Sequence, residues 1–419
     1  MRCLQIPGKG VVPKCRRGRE EASWILFEGL FESPYHQGRR RSGAGRRPHA
    51  DKNAISIKKD PLSRCCRHGR SPFVHLMILA AGYGTRLRPL SDVRPKPLCP
   101  VWGEPLLDRW IRQAVREGFR QVVINAHHMP HKLWEHIQKG GWPIPVHVVV
   151  EKEILGTGGG VRNALDLLGD EPFVVVNGDV AADVSLRSLR EKHDTDGAPV
   201  TLLLCRTGRF DSVAVDAGRT RITGFFPPVR VSAHASPGSG PTTDRDLWTF
   251  SGIQIVDPWW IRSVPQGKPF HIIDLYRDWI AQGMLPAAVC REDLPWRDVG
   301  SLDTYWDLHA AYEHHREIGA AFLEIPPSGV RVHPSANVAR SAILAGCVVL
   351  GRGTTVGEGC LLRNVVVWDR CVLRPYSELE NCIVTDGAVV FGRHRSEIVL
   401  PSGESRPLYT QEKTALPKR

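Results

Sequence analysis

From Val74 onward, short apolar runs alternate with stretches whose apolar positions recur every three or four residues. Leu76 to Ala81 is one such run, and Leu106, Leu107, Trp110, Ile111, Ala114 and Val115 then share a helical face that Gly118 ends as a left-handed cap. The pattern goes on to predict a strand at Gln121 to Asn125, a helix at Pro130 to Lys139 and a strand at Val146 to Val150. A loop is expected at Gly156-Thr157-Gly158-Gly159-Gly160, leading into a helix around Val161 to Leu168. Phe173 to Val176 reads as a buried strand closing at Asn177-Gly178-Asp179. Alternation of this kind predicts an α/β fold with a doubly wound sheet. Beyond it, Arg230 to Asp246 is a polar loop, Thr249 to Val256 a strand, and Ile272 to Gln282 and Leu302 to Glu317 are helices.

The period then changes to six. Val332, Val338, Leu344, Leu350, Val356, Leu362 and Trp368 fall six apart, with Ala336, Ala342, Val348, Thr354, Cys360 and Val366 in a second register. Hexads predict a parallel β-helix in which three hexads make one triangular coil and the first register points inward. The period falters after Trp368, where Leu373 restarts it after five, so a bulge or corner loop is expected there. Cys347, Cys371 and Cys382 are expected to pack within it, and the chain from Ser402 reads as a loose tail.

Composition changes this picture at the N-terminus. The net charge is +12, yet residues 1–74 hold 17 Lys and Arg against 6 Asp and Glu, so the remainder is close to neutral and nucleic acid is not the expected partner. Residues 1–73, rich in Arg, Gly, Pro and Ser, lack any sustained period and are expected to be a disordered basic extension. A transit peptide is an alternative, although Glu20, Glu21, Glu28 and Glu32 suit one poorly; an unused upstream start codon is another. The first thirty residues also lack the apolar core of a signal peptide. No apolar run reaches 18 residues, so no membrane span is expected. Eleven irregularly spaced cysteines suggest neither a disulfide framework nor a zinc site, which makes a cytoplasmic setting the simplest.

The stretch Leu76 to Val101 carries the first candidate chemistry. Gly82 and Gly84 lack the Cβ that would keep backbone N–H groups from anionic oxygens, and Arg86 and Lys96 supply fixed positive charge, which together suits a polyphosphate. A dinucleotide fingerprint would need a third glycine where Leu87 stands, and a P-loop would need Gly-Lys-Ser/Thr. The alternative is that Gly82-Tyr83-Gly84 is only a tight strand exit. At the carboxyl ends of the predicted strands this loop would meet the Gly156–Gly160 glycines, read as backbone laid against a base or sugar, and Asp179. Asp179 and Asp298 are the two carboxylates placed to hold Mg²⁺ among phosphates. Their alternatives are an Asx turn and a helix cap. His127, His128 and His131 are expected in a loop or helix start rather than on a metal.

Gly-x-Gly-Thr-Arg-Leu-x-Pro-Leu from Gly82 and Pro-Lys-Pro-Leu-x-Pro-Val from Pro95 resemble the signature of the sugar-phosphate nucleotidyltransferases, or NDP-sugar pyrophosphorylases. The likeness covers roughly residues 74–310, and 330–395 for the β-helix. It implies a Rossmann-like nucleotidyltransferase domain over 74–325, a left-handed hexapeptide β-helix over 328–400 and a tail over 401–419. It also implies an activity: transfer of a nucleotidyl group from an NTP to a sugar 1-phosphate, with Mg²⁺ as cofactor and a homo-oligomer as the working form. Ala81, Gly82, Gly84, Thr85 and Gly158 would bind nucleotide, Arg86 the departing phosphates and Lys96 the α-phosphate. Asp179 and Asp298 match the family's metal aspartates, and Glu151, Asn177 and Gly252 would bind the sugar. Leu155 to Gly160, Asn177-Gly178-Asp179 and Phe250-Ser251-Gly252 look most like the branch with muramate-phosphate uridylyltransferases and heptose- or mannose-phosphate guanylyltransferases.

One departure stands out: where relatives carry Glu-Lys-Pro to grip the sugar phosphate, Ile222 to Phe225 runs into Phe226-Pro227-Pro228. Arg206, Arg209 and Arg230 are the candidates to replace that lysine's charge. The gap also keeps open a second reading, a non-catalytic nucleotide-sugar sensor, against which stands the joint presence of Arg86, Lys96, Asp179 and Asp298. A third, an acyltransferase on the β-helix, has only His333 and His394 to support it, and a packing or oligomerisation platform is preferred. Base and sugar stay unassigned at this stage.

Overall fold

The computed structural model describes residues 75–227, 246–315 and 322–409. The expected disorder of 1–73, the core of the polar loop at 230–246 and the end of the helix drawn to Glu317 lie outside the described residues. In chain order the first strands are β1 (His75–Leu79), β2 (Pro100–Val101), β3 (Glu104–Pro105), β4 (Gln121–Ala126), β5 (Val146–Val150), β6 (Phe173–Asn177) and β7 (Val180–Ala182). They are followed by β8 (Val200–Cys205), β9 (Val213–Val215), β10 (Ile222–Phe225), β11 (Leu247–Val256), β12 (Ala287–Arg291) and β13 (Trp296–Asp298). The longer helices are α1 (Leu106–Arg116), α2 (Pro130–Lys139), α3 (Gly156–Asn163), α4 (Leu186–Asp196), α5 (Ile272–Ala281) and α6 (Leu302–Ala310). Among the described residues no helix is long and apolar enough to cross a membrane.

Strands β5, β4, β1 and β6 lie side by side and parallel; the Val, Ile and Phe residues of β4, β1 and β6 are buried, as covered parallel strands require, whereas β5 at the sheet edge is half-buried throughout. Antiparallel β11 adds beyond β6, β8 pairs with β11, and β12 returns parallel to β8, so the sheet is mixed. Chain order steps outward from β1 to β4 and β5, then crosses back to β6 on the other side of β1. Ligands in open sheets bind at such a reversal, beyond the carboxyl ends of the strands. Here those ends are Leu79 and Asn177, directly opposite one another.

Two expectations about this sheet need correcting. The Gly156–Gly160 run is not a loop but the first turns of α3. Its glycines are there because protein backbone fills the space: a Cβ at Gly159 would come 2.6 Å from the carbonyl oxygen of Lys268. The hydrophobic pattern also passed over α4, β8 and β12. Val200–Cys205 is buried throughout and pairs on both sides, so it shows no inside–outside alternation to read.

Beyond Gly329 the chain forms parallel coils. One stack contains β14 (Val330–Val332), β16 (Ile343–Leu350), β18 (Leu361–Val367) and β20 (Glu378–Val384). Another contains β15 (Asn337–Val338), β17 (Thr355–Val356), β19 (Val372–Leu373) and β21 (Val389–Val390). Val338, Leu344, Leu350, Val356 and Leu362 point into the shared core, as the hexads predict, but Val332 in the first coil, expected inward, is exposed. The register then breaks earlier than expected. Gly346 and Cys347 lie opposite the single residue Asn364, so Val367 rather than Trp368 takes the inward place. Asn364 and Asn381 turn this corner at φ 52° each, a conformation Asn tolerates better than most residues. The Asn364 Oδ1 accepts from Cys347 N at 3.1 Å, and its Nδ2 donates to Asn381 Oδ1 at 3.1 Å, forming a short ladder. Cys347, Cys371 and Cys382 are buried and free, as packing residues.

Displaced outward, Trp368 is fully buried against α6, where its Nε1 donates to the Tyr305 hydroxyl at 3.0 Å. Ser301 caps α6 by accepting from Thr304 N at 3.3 Å, while Thr304 Oγ1 accepts from Ser301 N at 3.1 Å. Inside this contact His309 accepts from Trp102 N through Nε2 at 3.0 Å, so its remaining nitrogen, Nδ1, carries the proton and donates to Tyr305 O at 2.8 Å. Burial lowers its pKa to about 4.

That pKa has a consequence for stability. Between pH 4 and the ordinary histidine value near 6.5, the unfolded chain binds a proton that the folded chain refuses. Stability from this group is therefore complete above pH 6.5 and lost as pH falls toward 4, by roughly 3 kcal/mol at most. Thermal unfolding of the wild type and His309→Gln at pH 7, 6 and 5 should show their difference narrowing on acidification. A constant difference would contradict the neutral, buried imidazole.

Candidate active site

The end of β1 runs directly into the glycine turn. Gly84 has φ +66°, and a Cβ on it would lie 3.1 Å from Ser91 Cβ and 3.2 Å from Lys96 Cβ, so only glycine lets these segments meet. Ser91 Oγ donates to Gly84 O at 2.8 Å and Leu87 N donates to the same oxygen at 2.9 Å, closing a short 3₁₀ turn over Thr85–Leu87. Leu87 and Leu90 anchor that turn in the core, which leaves Thr85 and Arg86 exposed. Over Gly82 the situation is reversed: a Cβ there would meet nothing within 4 Å. Ala81 beside it is buried, and Ala80 N donates to Asn125 Oδ1 at 2.7 Å.

Lys96 stands in a second 3₁₀ turn, Lys96–Leu98, between Pro95 and Pro97. Its Nζ donates to Asp179 Oδ2. Asp179 is held there because Gly178 N donates to Leu79 O at 2.9 Å, an approach for which any side chain would be tight. Asp298 ends β13, which pairs antiparallel with β7, and Val299 N donates to Asp179 O at 2.8 Å. Thus two carboxylates far apart in sequence reach one place. Burial raises the Asp298 carboxyl above the usual carboxylate range and the charge of Asp179 adds to this, while Lys96 and Arg86 pull the other way. Gly82, Gly84, Thr85, Arg86, Lys96 and Asp179 line a cavity of about 260 Å³. Gly300 completes the wall, and a Cβ on it would lie 2.7 Å from Asp298 Oδ1 and 2.8 Å from Arg86 Nη2.

Other residues singled out from sequence are placed differently. Gly158 is buried against the chain before α5, its N donating to Phe270 O at 2.9 Å, so it packs α3 rather than facing the cavity. Glu151 is 3% exposed: Oε1 accepts from Asn125 Nδ2 at 2.7 Å and Oε2 from Leu155 N at 2.9 Å. Those bonds make it a scaffold that ties β4 to α3, in place of the sugar-hydroxyl role drawn from the resemblance. Asn177 lies against Gly252, where φ +79° and an Asn177 Nδ2 only 2.6 Å from any Cβ both require glycine. His127 is bonded to Glu151 O and His128 to Ser91 O, both structural, and among the described residues no cluster of three or more metal-ligating side chains occurs. Arg206 is bound to Asp246 and lies 4.0 Å from the Trp248 ring centroid, whereas Arg209 lies 5.1 Å from that of Phe210, whose ring faces Trp296. Arg230 lies outside the described residues. Sequence reasoning overlooked Asn125, which bridges β1 and Glu151; an Asn ending an apolar strand was its only visible signal.

Residues 75–212 match the family described as Nucleotidyl transferase. The chain is 28% identical over 302 residues to the mannose-1-phosphate guanylyltransferase of Mycobacterium tuberculosis, covering 71% of this chain and 80% of that protein. It is 26% identical to a UTP–glucose-1-phosphate uridylyltransferase of Synechocystis, covering 76% and 87%. With the N-acetylmuramate alpha-1-phosphate uridylyltransferase of Caulobacter vibrioides it shares 30% identity over 54% of this chain and 90% of that protein.

The two kinds of glycine separate experimentally. In Gly300→Ala the new methyl meets the ends of flexible side chains, so the fold should tolerate it while Asp298 and Arg86 move. Turnover should fall about tenfold or more, with an unfolding midpoint near wild type. Gly158→Ala meets Phe270 and the backbone at Ile272, and should instead cost about 1–3 kcal/mol of stability. Turnover and denaturant unfolding of both variants check the assignment, and a Gly300→Ala with unimpaired turnover would contradict it.

Proposed function

This chain belongs to the nucleotidyl transferase family, and from that membership we propose how its own residues carry out nucleotidyl transfer. It is a sugar-1-phosphate nucleotidyltransferase, joining an NTP and a sugar 1-phosphate to give an NDP-sugar and pyrophosphate. The observation that carries the residue assignment is the convergence of Arg86, Lys96 and Asp179 on the cavity over the glycine turn, with Asp298 packed against Gly300 of its wall.

Both reactants are highly charged anions, so the enzyme's task is to neutralise and align them. A sugar-phosphate oxygen attacks the α-phosphorus while the bond to pyrophosphate breaks. The open face of Gly82 and the turn through Gly84 and Thr85 receive the nucleotide, with the buried Ala81, named for this role from the resemblance, holding the turn from behind. Arg86, exposed at the cavity rim, meets the departing phosphates as a planar fork. Lys96 presents a point charge to the α-phosphate, where charge shifts in the transition state. Asn177 and Gly252, beside the end of β6, would border the sugar.

Asp179 and Asp298 fit a divalent cation. Burial, and after it the charge of Asp179, raise the Asp298 carboxyl, so a cation between the two would be favoured, and two carboxylates beside phosphate and water suit Mg²⁺. A bound Mg²⁺ would supply neutralisation of the phosphate oxygens. For the sugar phosphate, Arg209 is the better replacement for the missing lysine, since Arg206 is already bound to Asp246. GTP with mannose 1-phosphate is the first pair to test, followed by UTP with glucose 1-phosphate and N-acetylmuramate α-1-phosphate, and self-association through the coils remains our expectation.

Pyrophosphate release across NTPs and sugar 1-phosphates is the direct test, and a sensor protein would release none with any pair. With the best pair, Asp179→Asn, Asp298→Asn and Lys96→Ala should each lose about a hundred- to a thousand-fold in kcat while staying folded. Because the two aspartates serve one charge, the double Asn variant should be little worse than either alone. Near-normal turnover in Asp179→Asn would remove the metal assignment. Arg209→Ala should raise KM for the sugar 1-phosphate by about tenfold with the NTP value unchanged; equal KM values would return the question to Arg230.

A further inference from the structure

Arg94, two residues before Lys96, makes its strongest contacts with the C-terminal coils. Its Nε donates to Asp386 Oδ2 at 2.5 Å, and its Nη2 donates to Asp386 Oδ1 at 2.6 Å and to Asp369 Oδ2 at 2.7 Å. The guanidinium also lies 5.4 Å from the centre of the Trp368 ring. Arg94 is 16% exposed and the two carboxylates 24% and 15%, so water competes little for these bonds. The acceptors are themselves braced: Asp386 Oδ1 accepts from Asp369 N at 3.1 Å and Asp369 Oδ1 from Arg352 N at 2.8 Å. Successive coils thus build a rigid anion pair that a planar fork fits and a point charge does not.

The other end of the lysine loop hangs on the same coils. Pro100 O accepts from the Tyr305 hydroxyl at 2.7 Å, and that hydroxyl accepts from Trp368 Nε1 at 3.0 Å. Between the two anchors Pro95 and Pro97 restrict the backbone on either side of Lys96, leaving few torsions to absorb a displacement. We propose that the C-terminal coils position the catalytic lysine, with Arg94, Asp369 and Asp386 as positioning residues that hold Lys96 against the end of β6. This rests on Lys96 serving nucleotidyl transfer as set out above. The coils then contribute to the chemistry of a cavity they do not line.

The test uses the full chain and the NTP and sugar 1-phosphate pair with the fastest pyrophosphate release. Arg94→Ala and the double variant Asp369→Asn/Asp386→Asn should each lower kcat about tenfold or more, with KM for either substrate changed less than threefold. Arg94→Lys, which keeps charge and loses the fork, should fall between Arg94→Ala and wild type. Assays run well below each unfolding midpoint, so lost stability alone would leave kcat unchanged. In a Lys96→Ala background, Arg94→Ala should cost little more, because its effect passes through the missing side chain. Wild-type kcat in Arg94→Ala beside an inactive Lys96→Ala would overturn the positioning role alone. Multiplying losses in the double variant would overturn it too. Full turnover in Lys96→Ala would remove the reading of the lysine and this proposal with it.

Discussion

The ion pair between Lys96 and Asp179 joins the two halves of the site. One partner comes from the loop after β1, the other from the residue after the Gly178 contact that draws β6 against Leu79. Asp298 already feels Asp179, and Lys96, Arg86 and the Gly300 N–H offset that repulsion. Such a mixed field suits the proposed polyanionic substrates, whose phosphates the cations would meet and whose metal the carboxylates would hold. The rest of the structure keeps these charged ends within reach of one another, by strand order, by tight glycine contacts and by the docked coils.

Glycine serves that end in two opposite ways. Over Gly82 the missing Cβ leaves open space for a ligand, whereas at Gly84, Gly178 and Gly300 it lets protein segments close on each other. At Gly158 to Gly160 the same chemistry only packs α3 beneath the site, with Glu151 and Asn125 bonded behind it. Equal composition therefore carries unequal meaning, and the distinction lies in what stands within 4 Å.

The coils show how a small irregularity becomes a junction. The corner at Asn364 spends one residue fewer than a strict hexad, which moves Trp368 from the coil interior to its outer face. There it reaches Tyr305, and its neighbour Asp369 reaches Arg94. Had the period continued unbroken, the tryptophan would have faced inward and the coils would have lacked this docking side chain.

Much of the architecture could be read before any coordinates. The alternation of apolar runs and helical faces from Leu76 to Phe173 foretold the parallel core, because covered strands and amphipathic helices leave distinct periods. The hexads foretold the stacked coils for the same reason, and the two glycine-and-proline motifs marked the stretch around Arg86 and Lys96. What needed tertiary structure were relations without a period: the reach of Asp298 to Asp179 through β7 and β13, the burial of Glu151 as scaffold, and the bond of Arg94 to residues nearly three hundred positions away. Local sequence determines which face of an element is apolar and where a turn can form. Which charged side chains share a cavity depends on strand order and coil register, and those follow from how whole elements pack.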